Sequence, residues 1–446
     1  METQYSSPEF LELQAVAEKT LLLAKRQGAT QAEVHLSMEN GFSVHAREGD
    51  VDTLEHTREK NLVLTVYFGF QSGTATTSDL SASAISSAVE KASNIARYTG
   101  ADPYSGLADP ELIAKQFPDL KLYHHWDISP AEAIDLALRC EKEARQRDKR
   151  IIRTEGVNLS THDYFIIYAN SHGFIGHSSA SEHLFSCGLI AEQDQKMQRA
   201  SEYSLVRNPA DLEAPELLAD RTVDKVLSRL GAVQITTRQC PIIFNPSTAR
   251  GLLGSFIRAV SGGSLYREAS FLLNHLDQPV FPSFVKIDQR PRLLGGWGST
   301  NFDSEGVETN DLSFVDNGIL KSYVLGSYSA RKLGLKTTGN SDGVHNLFIN
   351  TSDQDQAGLL KKMGDGLLVT ELMGQGINII TGNYSRGAFG YWVENGVIQY
   401  PVEEITIAGN LKDMFANLVS VGNDVDQRGN IQTGSILLEE MTLAGK

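Results

Sequence analysis

The chain has 446 residues, 41% hydrophobic and 21% charged, with a formal net charge of −15 at pH 7. That length allows two or three domains of ordinary size around sizeable cores. The acidic balance argues against nucleic-acid binding and anionic membranes, both of which need clustered Lys and Arg, and it is the ordinary solubility device of a cytosolic protein. Three cysteines, Cys140, Cys187 and Cys240, make no disulfide framework and suit a reducing compartment. The first residues, METQYSSPEFLELQ, lack a basic segment and an apolar core, so no signal peptide is expected. No apolar run approaches a bilayer-spanning length. The expected location is the cytoplasm.

Ser7-Pro8-Glu9 opens a first predicted helix, with Ser as a cap and Pro at the first helical position. Leu11, Leu13, Val16, Leu21, Leu22 and Leu23 give it a broad apolar side, and Gly28 ends it. Strands are predicted over residues 32–43, 51–57 and 62–70, where β-branched and aromatic residues gather. Gln71-Ser72-Gly73 reads as a hairpin loop into a short strand over 74–77, and Ser78-Asp79 starts a second helix to about Tyr98. Residues 99–118, rich in Gly, Pro and Asp, read as a linker.

The pattern then recurs. Ser129-Pro130-Ala131-Glu132 is another Ser-Pro start, with Glu at capping-box spacing. Four strand-like stretches follow, over 152–159, 164–170, 178–191 and 199–206, and a helix over 215–230 ends at Gly231. Both units read as helix, four strands, helix, a possible duplication. Beyond them the chain becomes glycine-rich. Asn317-Gly318 and Asn395-Gly396, each between apolar runs, are hairpin signals. Helices are expected over 355–363 and 411–419. The expected fold class is α+β, with two helix–antiparallel sheet–helix units followed by a β-rich C-terminal domain. The domains are placed at 1–118, 119–236 and 237–446.

The chemistry-bearing motifs are sparse. H-E-x-x-H, C-x-x-C and the P-loop pattern are absent. Gly339-Asn340-Ser341-Asp342-Gly343 matches G-x-S-x-G, but a nucleophile elbow needs a strand before it and a helix after it. Here a strand-like stretch follows, so a Gly/Asn/Asp turn is the expectation. His172, His177, His183 and Cys187 lie within sixteen residues, in spacings that match no standard zinc site. In a strand His177 and His183 share a face, and Cys187 joins them if no bulge intervenes. His345 reads as locally satisfied. Glu403-Glu404 could suggest paired carboxylates, yet neighbours in a strand point to opposite faces. Arg386, in "GNYSRGAFG", is a candidate for binding a carboxylate, against a structural salt bridge. Finally, "PIIFNPSTARGLLGSFIRAVSGGS" (residues 241–264) reads as strand, turn and apolar helix, a common setting for a metal site or nucleophile, but its helix has no His, Cys, Asp or Glu.

Several segments together resemble one family: "NSHGF", "GGSLYREASFLL", "FDSEGVET", "DNGILKSYVLGSYSARKLGLKTTGN", "MGQGINIITGNYSRGAFGYWVENGVIQYPVEEITIAGNLKDMF" and "VGNDV". The likeness is to the TldD/PmbA family of bacterial metalloproteases, in its PmbA or TldE branch, and it covers nearly the whole chain. What the resemblance implies is a heterodimer of TldD and TldE subunits that degrades unfolded peptides and removes leader peptides, as in peptide-antibiotic maturation. The zinc is carried by the TldD-like partner, on a helix with a His-Glu-x-x-x-His motif. In this chain Gly254, Ser255 and Ala259 stand where that motif has its His, Glu and His, and Thr433 stands where a further Cys ligand lies near the partner family's C-terminus. Gly and Ala cannot ligate zinc, and Ser is no carboxylate base. The glycines Gly251, Gly254, Gly262 and Gly263 weaken a helix unless something packs closely on them, such as a partner or a cleft wall.

The expectation is therefore a catalytically silent, chamber-forming subunit with no cofactor of its own, and with Arg386 as a substrate-binding candidate. Two alternatives stay open. One is a metallopeptidase active by itself through an unrecognised site, at the His172–Cys187 cluster or His345. The other is a non-proteolytic peptide-binding adaptor.

Overall fold

The computed structural model describes residues 8–446. The first half comprises α1 (Pro8–Arg26), β1 (Gln31–Arg47), β2 (Asp50–Phe68), β3 (Gln71–Thr77), α2 (Ala82–Tyr98), α3 (Pro130–Arg147), β4 (Ile151–Asn170), β5 (Ile175–Gln193), β6 (Lys196–Val206) and α4 (Pro215–Ser228). Each unit thus has three strands rather than four. The expected breaks near residues 57–62 and 159–164 do not exist, because β2 and β4 run through them as single strands of 19 and 20 residues. Polar residues suggested breaks there; in β2 they are largely exposed, whereas in β4 Ser160, Thr161 and Asp163 are buried within a continuous ladder between β1 and β5. The Ser7 cap falls outside the described residues. The Ser129–Glu132 capping box forms as the sequence indicates.

The two units build one antiparallel sheet in the order β3-β2-β1-β4-β5-β6. β1 and β4 join the halves in an unbroken register from Glu33↔Asn170 to Ala46↔Val157. Alternation decides which face is covered. Val34, Leu36 and Met38 of β1 pack with Leu13 and Ala17 of α1 and with Ile85 and Val89 of α2. Further along β1, Val44 and Ala46 pack with Ala137 and Cys140 of α3 and Leu218 of α4. The opposite face carries Glu33, His35, Tyr67 and Tyr168, and its lower end meets the C-terminal half through Tyr168, Phe174 and Phe302.

The linker is not a free tether. Residues 102–114 are strapped to the C-terminal half. One arginine does much of this: Arg331 donates to the carbonyls of Tyr104 (3.3 Å), Gly106 (3.1 Å) and Leu107 (2.6 Å) and pairs with Asp109 (3.0 Å). Tyr328 adds a bond to Asp102 at 2.7 Å. Its composition reads as a linker, but a partly buried guanidinium gives those backbone carbonyls their partners.

The C-terminal half comprises β7 (Arg238–Phe244), α5 (Pro246–Ala259), α6 (Gly262–Tyr266), β8 (Ile287–Gln289), β9 (Leu312–Asp316), β10 (Ile319–Leu320), α7 (Ser327–Leu333), β11 (Leu347–Ile349), α8 (Gln356–Met363), β12 (Gly366–Met373), β13 (Asn383–Glu394), β14 (Val397–Asn410), α9 (Leu411–Ala416), β15 (Leu418–Val421), β16 (Ile431–Gln432) and β17 (Ile436–Ala444). One sheet runs β14-β13-β12-β7-β17-β15, and β14 also pairs with β17, closing a five-stranded barrel. A smaller sheet runs β10-β9-β8-β11-β16. Both Asn-Gly turns form, with positive φ at Asn317, Gly318, Asn395 and Gly396, as a tight hairpin reversal demands. α6 and α7 were not expected from the sequence; both are too short to show periodicity. The fold is α+β, as expected. Among the described residues no helix is long and apolar enough to cross a membrane.

Candidate functional site

The helix without chemistry sits at the centre of the C-terminal half. Ile242, Ile243 and Phe244 make the end of β7 fully buried, hydrogen-bonded between β12 and β17. Asn245 then caps α5, its side chain accepting from the Thr248 N–H at 3.0 Å. Ala249, Leu252, Leu253, Phe256, Ile257 and Ala259 face the core. The other side is a stripe at Ser247, Gly251, Gly254 and Arg258, with helical spacing and exposed or half-exposed.

The glycines divide into two kinds. A Cβ on Gly262 would stand 2.3 Å from Ser329 Oγ, so α7 itself requires that glycine. A Cβ on Gly251 would meet nothing within 4 Å, and one on Gly254 only Ile431 Cδ1 at 4.0 Å. Among the described residues nothing packs on α5 closely enough to require those two.

Gly254 faces β16, and Arg250 Nε donates to the Ile431 carbonyl at 3.1 Å. Thr433, just past β16, bridges to Asp426, whose carboxylate meets Arg250 of α5 at 3.2 Å. The structure therefore brings the helix positions and the Thr433 segment to one place. These residues do not fit a zinc ion. Ser255 Oγ donates to the Gly251 carbonyl (2.9 Å), Thr433 Oγ1 donates to the Gly434 carbonyl (2.9 Å), and Ala259 is fully enclosed. None supplies an imidazole, thiolate or carboxylate. The carboxylate held beside α5, Asp426, is committed to Arg250 at 3.2 Å and Arg428 at 2.9 Å. Burial pushes it up, but its bonds with Arg428 and the charge of Arg250 outweigh that and hold it below the usual range.

The histidine cluster does not assemble. β5 is one long strand, and six residues of strand place His177 and His183 roughly 20 Å apart, with Cys187 farther still. His172 lies in the preceding turn. Both ring nitrogens of His183 are engaged, with Thr161 Oγ1 and the His124 carbonyl, each at 2.9 Å. Cys187 sits in the core with Cys140, whose thiol is pushed up by its bond with Cys187 and by burial. Among the described residues no group of three or more His, Cys, Asp or Glu is placed to hold a metal.

Gly339–Gly343 is a turn without a following helix, and buried Asn340 ties it down through Gln289 Oε1 (2.8 Å) and the Gly343 carbonyl (2.7 Å). His345 is satisfied locally by the Gly339 carbonyl at 3.1 Å. For Glu403 and Glu404 the alternation argument fails. Glu404 has a φ of 54° in an irregular stretch of the β13–β14 ladder. The two carboxylates still do not form a pair: Gln198 bonds Glu403 at 2.6 Å, and Gln234 bonds Glu404. Arg386, half-exposed on β13, donates to the Met373 carbonyl at 3.4 Å and forms no ion pair among the described residues. A structural salt bridge therefore does not account for it.

One cluster was not foreseen. At the seam between the large sheet and the C-terminal half, the Glu33 carboxylate accepts the hydroxyls of Tyr67 and Tyr168, both at 2.9 Å. Burial and the Glu33 charge push both phenols well above their usual range. His35 lies against Tyr168 with ring centroids 4.6 Å apart, and its pKa is lowered by burial, against the pull of Glu33 and Asp342. Across the seam Asp303, 1% exposed, accepts the N–H groups of Glu305 (2.9 Å), Val307 (3.0 Å) and Ser341 (3.1 Å). Glu305 accepts the Ser327 N–H at 2.7 Å. Burial pushes Glu305 up to about 6, opposed by bonding to Ser327 and reinforced by the charges of Asp303 and Glu33. The residues come from segments nearly 300 positions apart, so no local spacing announces them.

Comparison with known proteins adds the following. Three family models match in succession: PmbA/TldA metallopeptidase domain 1 over residues 32–96, the central domain over 123–230 and the C-terminal domain over 237–445. The chain is 48% identical over 415 residues to the metalloprotease PmbA of Escherichia coli O157:H7, covering 93% of this chain and 92% of that one. A crystal structure from Bacteroides thetaiotaomicron, described for that protein as a proposed modulator of DNA gyrase, superposes with a TM-score of 0.93 at 27% identity, covering 99% of this chain and 100% of that one. The crystal structure of TldE from Thermococcus kodakarensis shares the fold at a TM-score of 0.80 and 19% identity, covering 96% of this chain and all of the other.

Proposed function

The chain belongs to the PmbA/TldD metallopeptidase family, and on that premise we propose that it is the metal-free subunit of a cytoplasmic, TldD/TldE-like zinc protease. Its partner is a TldD-like subunit that carries the zinc and the chemistry. Their substrates are unfolded peptides and leader peptides of the kind removed during peptide-antibiotic maturation. This chain completes the chamber and holds peptide backbone.

The observation that carries the reading is α5. It has the placement of a site helix, capped at the end of a buried strand, with a stripe at Gly251 and Gly254 on which none of the described residues packs closely. It has no ligand residues. A helix keeps two weakening glycines on an open face when another surface must come close there. The experiment is peptide cleavage by the chain alone, by the partner alone and by the pair, with a chelator control. The reading expects chelator-sensitive cleavage by the pair and none by the chain alone. Cleavage by the chain alone would replace it.

Arg386 is the group we assign to substrate, through a carboxylate of the bound peptide. Hydrogen bonds to charged groups are worth about 1.5–3 kcal/mol. Arg386→Ala is expected to lower kcat/KM of the pair by about tenfold or more, with the zinc content of the pair unchanged. Unaltered turnover would remove Arg386 from the site.

A further inference from the structure

Away from α5, a groove of about 570 Å³ opens beside the start of α3. Its floor is apolar: Trp126, Ile128 and Leu136 line it, each half-buried. Trp126 is fixed by an edge-on contact with the His183 ring, with centroids 5.6 Å apart and planes at 86°. The rim is acidic, carrying Asp127, Glu132 and Asp135.

These carboxylates are not equivalent. Glu132 closes the capping box, accepting the Ser129 N–H at 2.9 Å and its hydroxyl at 2.7 Å. Asp127 and Asp135 form no ion pair or hydrogen bond among the described residues. The helix dipole does not explain them either. Its effect is confined to the first turn, whereas Asp127 precedes the helix and Asp135 lies in its second turn. Two unpaired negative charges therefore flank a fixed indole over an apolar floor.

We propose that this groove is a docking site for a basic residue of an unfolded peptide. The Lys or Arg head group sits over the Trp126 ring between Asp127 and Asp135, and its alkyl stem and a neighbouring apolar side chain cover Ile128 and Leu136. Tryptophan is the strongest aromatic partner for a cation. Long basic side chains bury their stems on apolar surface while keeping the charge at the rim. The volume is that of a short ligand segment rather than a single ion, and the net charge of −15 favours a cationic visitor. The choice of an unfolded peptide rests on the protease reading, but the test needs neither the partner subunit nor zinc, so the two can fail separately.

The test is fluorescence anisotropy with the full chain alone. The probe is a labelled, unstructured peptide carrying one lysine between two leucines, beside the same peptide with norleucine for lysine. The lysine peptide is expected to bind at least tenfold more tightly and to weaken with added salt. The isosteric double variant Asp127→Asn/Asp135→Asn, whose changes are on exposed side chains, is expected to abolish that preference. Trp126→Leu is expected to weaken binding about tenfold, and Trp126→Phe less. Equal binding of the two peptides, or an undiminished lysine preference in the double Asn variant, would overturn the proposal.

Discussion

Replacing Gly254 with Leu is expected to leave the isolated chain folded and to cut peptide turnover by the reconstituted pair at least tenfold. The two effects separate because the position is loose within the chain. A Cβ there reaches only Ile431 Cδ1, at an ordinary 4.0 Å. An exposed helical glycine weakens a helix by roughly 1 kcal/mol relative to Ala, so adding a side chain recovers helix stability. Gly254→Ala, the graded control, is expected to raise the chain's stability by roughly 0.5–1 kcal/mol and to change turnover less than twofold. Leu extends farther from α5, past Ile431 of β16 and into the space assigned to the partner and the peptide. Thermal denaturation of the chain and kcat/KM of the pair measure the two effects. Full turnover by the Leu variant would show that this face of α5 lines nothing.

Glu305→Gln is expected to change how stability depends on pH. The carboxyl is raised from 4.5 to about 6 in the folded chain. A raised acid binds its proton more tightly when folded. Its stabilising contribution is therefore full below about pH 4.5 and is lost as pH rises through about 6. A shift of this size corresponds to roughly 2 kcal/mol. Gln keeps a carbonyl oxygen for the Ser327 N–H and cannot ionise. Relative to the wild type, the variant is expected to gain roughly 2 kcal/mol between pH 4.5 and pH 8. Urea denaturation at both pH values reads this difference. A gap that stays constant with pH would show that Glu305 titrates as an ordinary surface carboxylate.

What the sequence made legible follows from how local each signal is. The cap at Ser129, the Asn-Gly turns and the α+β class depend on neighbours a few residues away, and they form as read. Periodicity marked the strands but missed that β2 and β4 run on through polar stretches, because a polar strand segment and a turn share a composition. The Glu403–Glu404 argument assumed perfect alternation and met an irregular ladder. At α5 the absence of ligand types was plain from the letters. Which glycines are crowded and which are open was not, since that depends on Ser329 and Ile431, far along the chain. The seam at Glu33, Asp303 and Glu305 was invisible for the same reason: its residues meet only when the large sheet docks on the C-terminal half.

On the proposed reading, this chain supplies architecture and not a metal centre. Gly254, Ser255, Ala259 and Thr433 offer no zinc ligand, and the hydroxyls of Ser255 and Thr433 are turned to backbone carbonyls. The most direct test is the zinc content of the purified chain alone, by elemental analysis after dialysis against metal-free buffer. Far less than one zinc per chain is expected. A value near one would contradict it and would make His172, His177, His183 and His345 the residues to mutate.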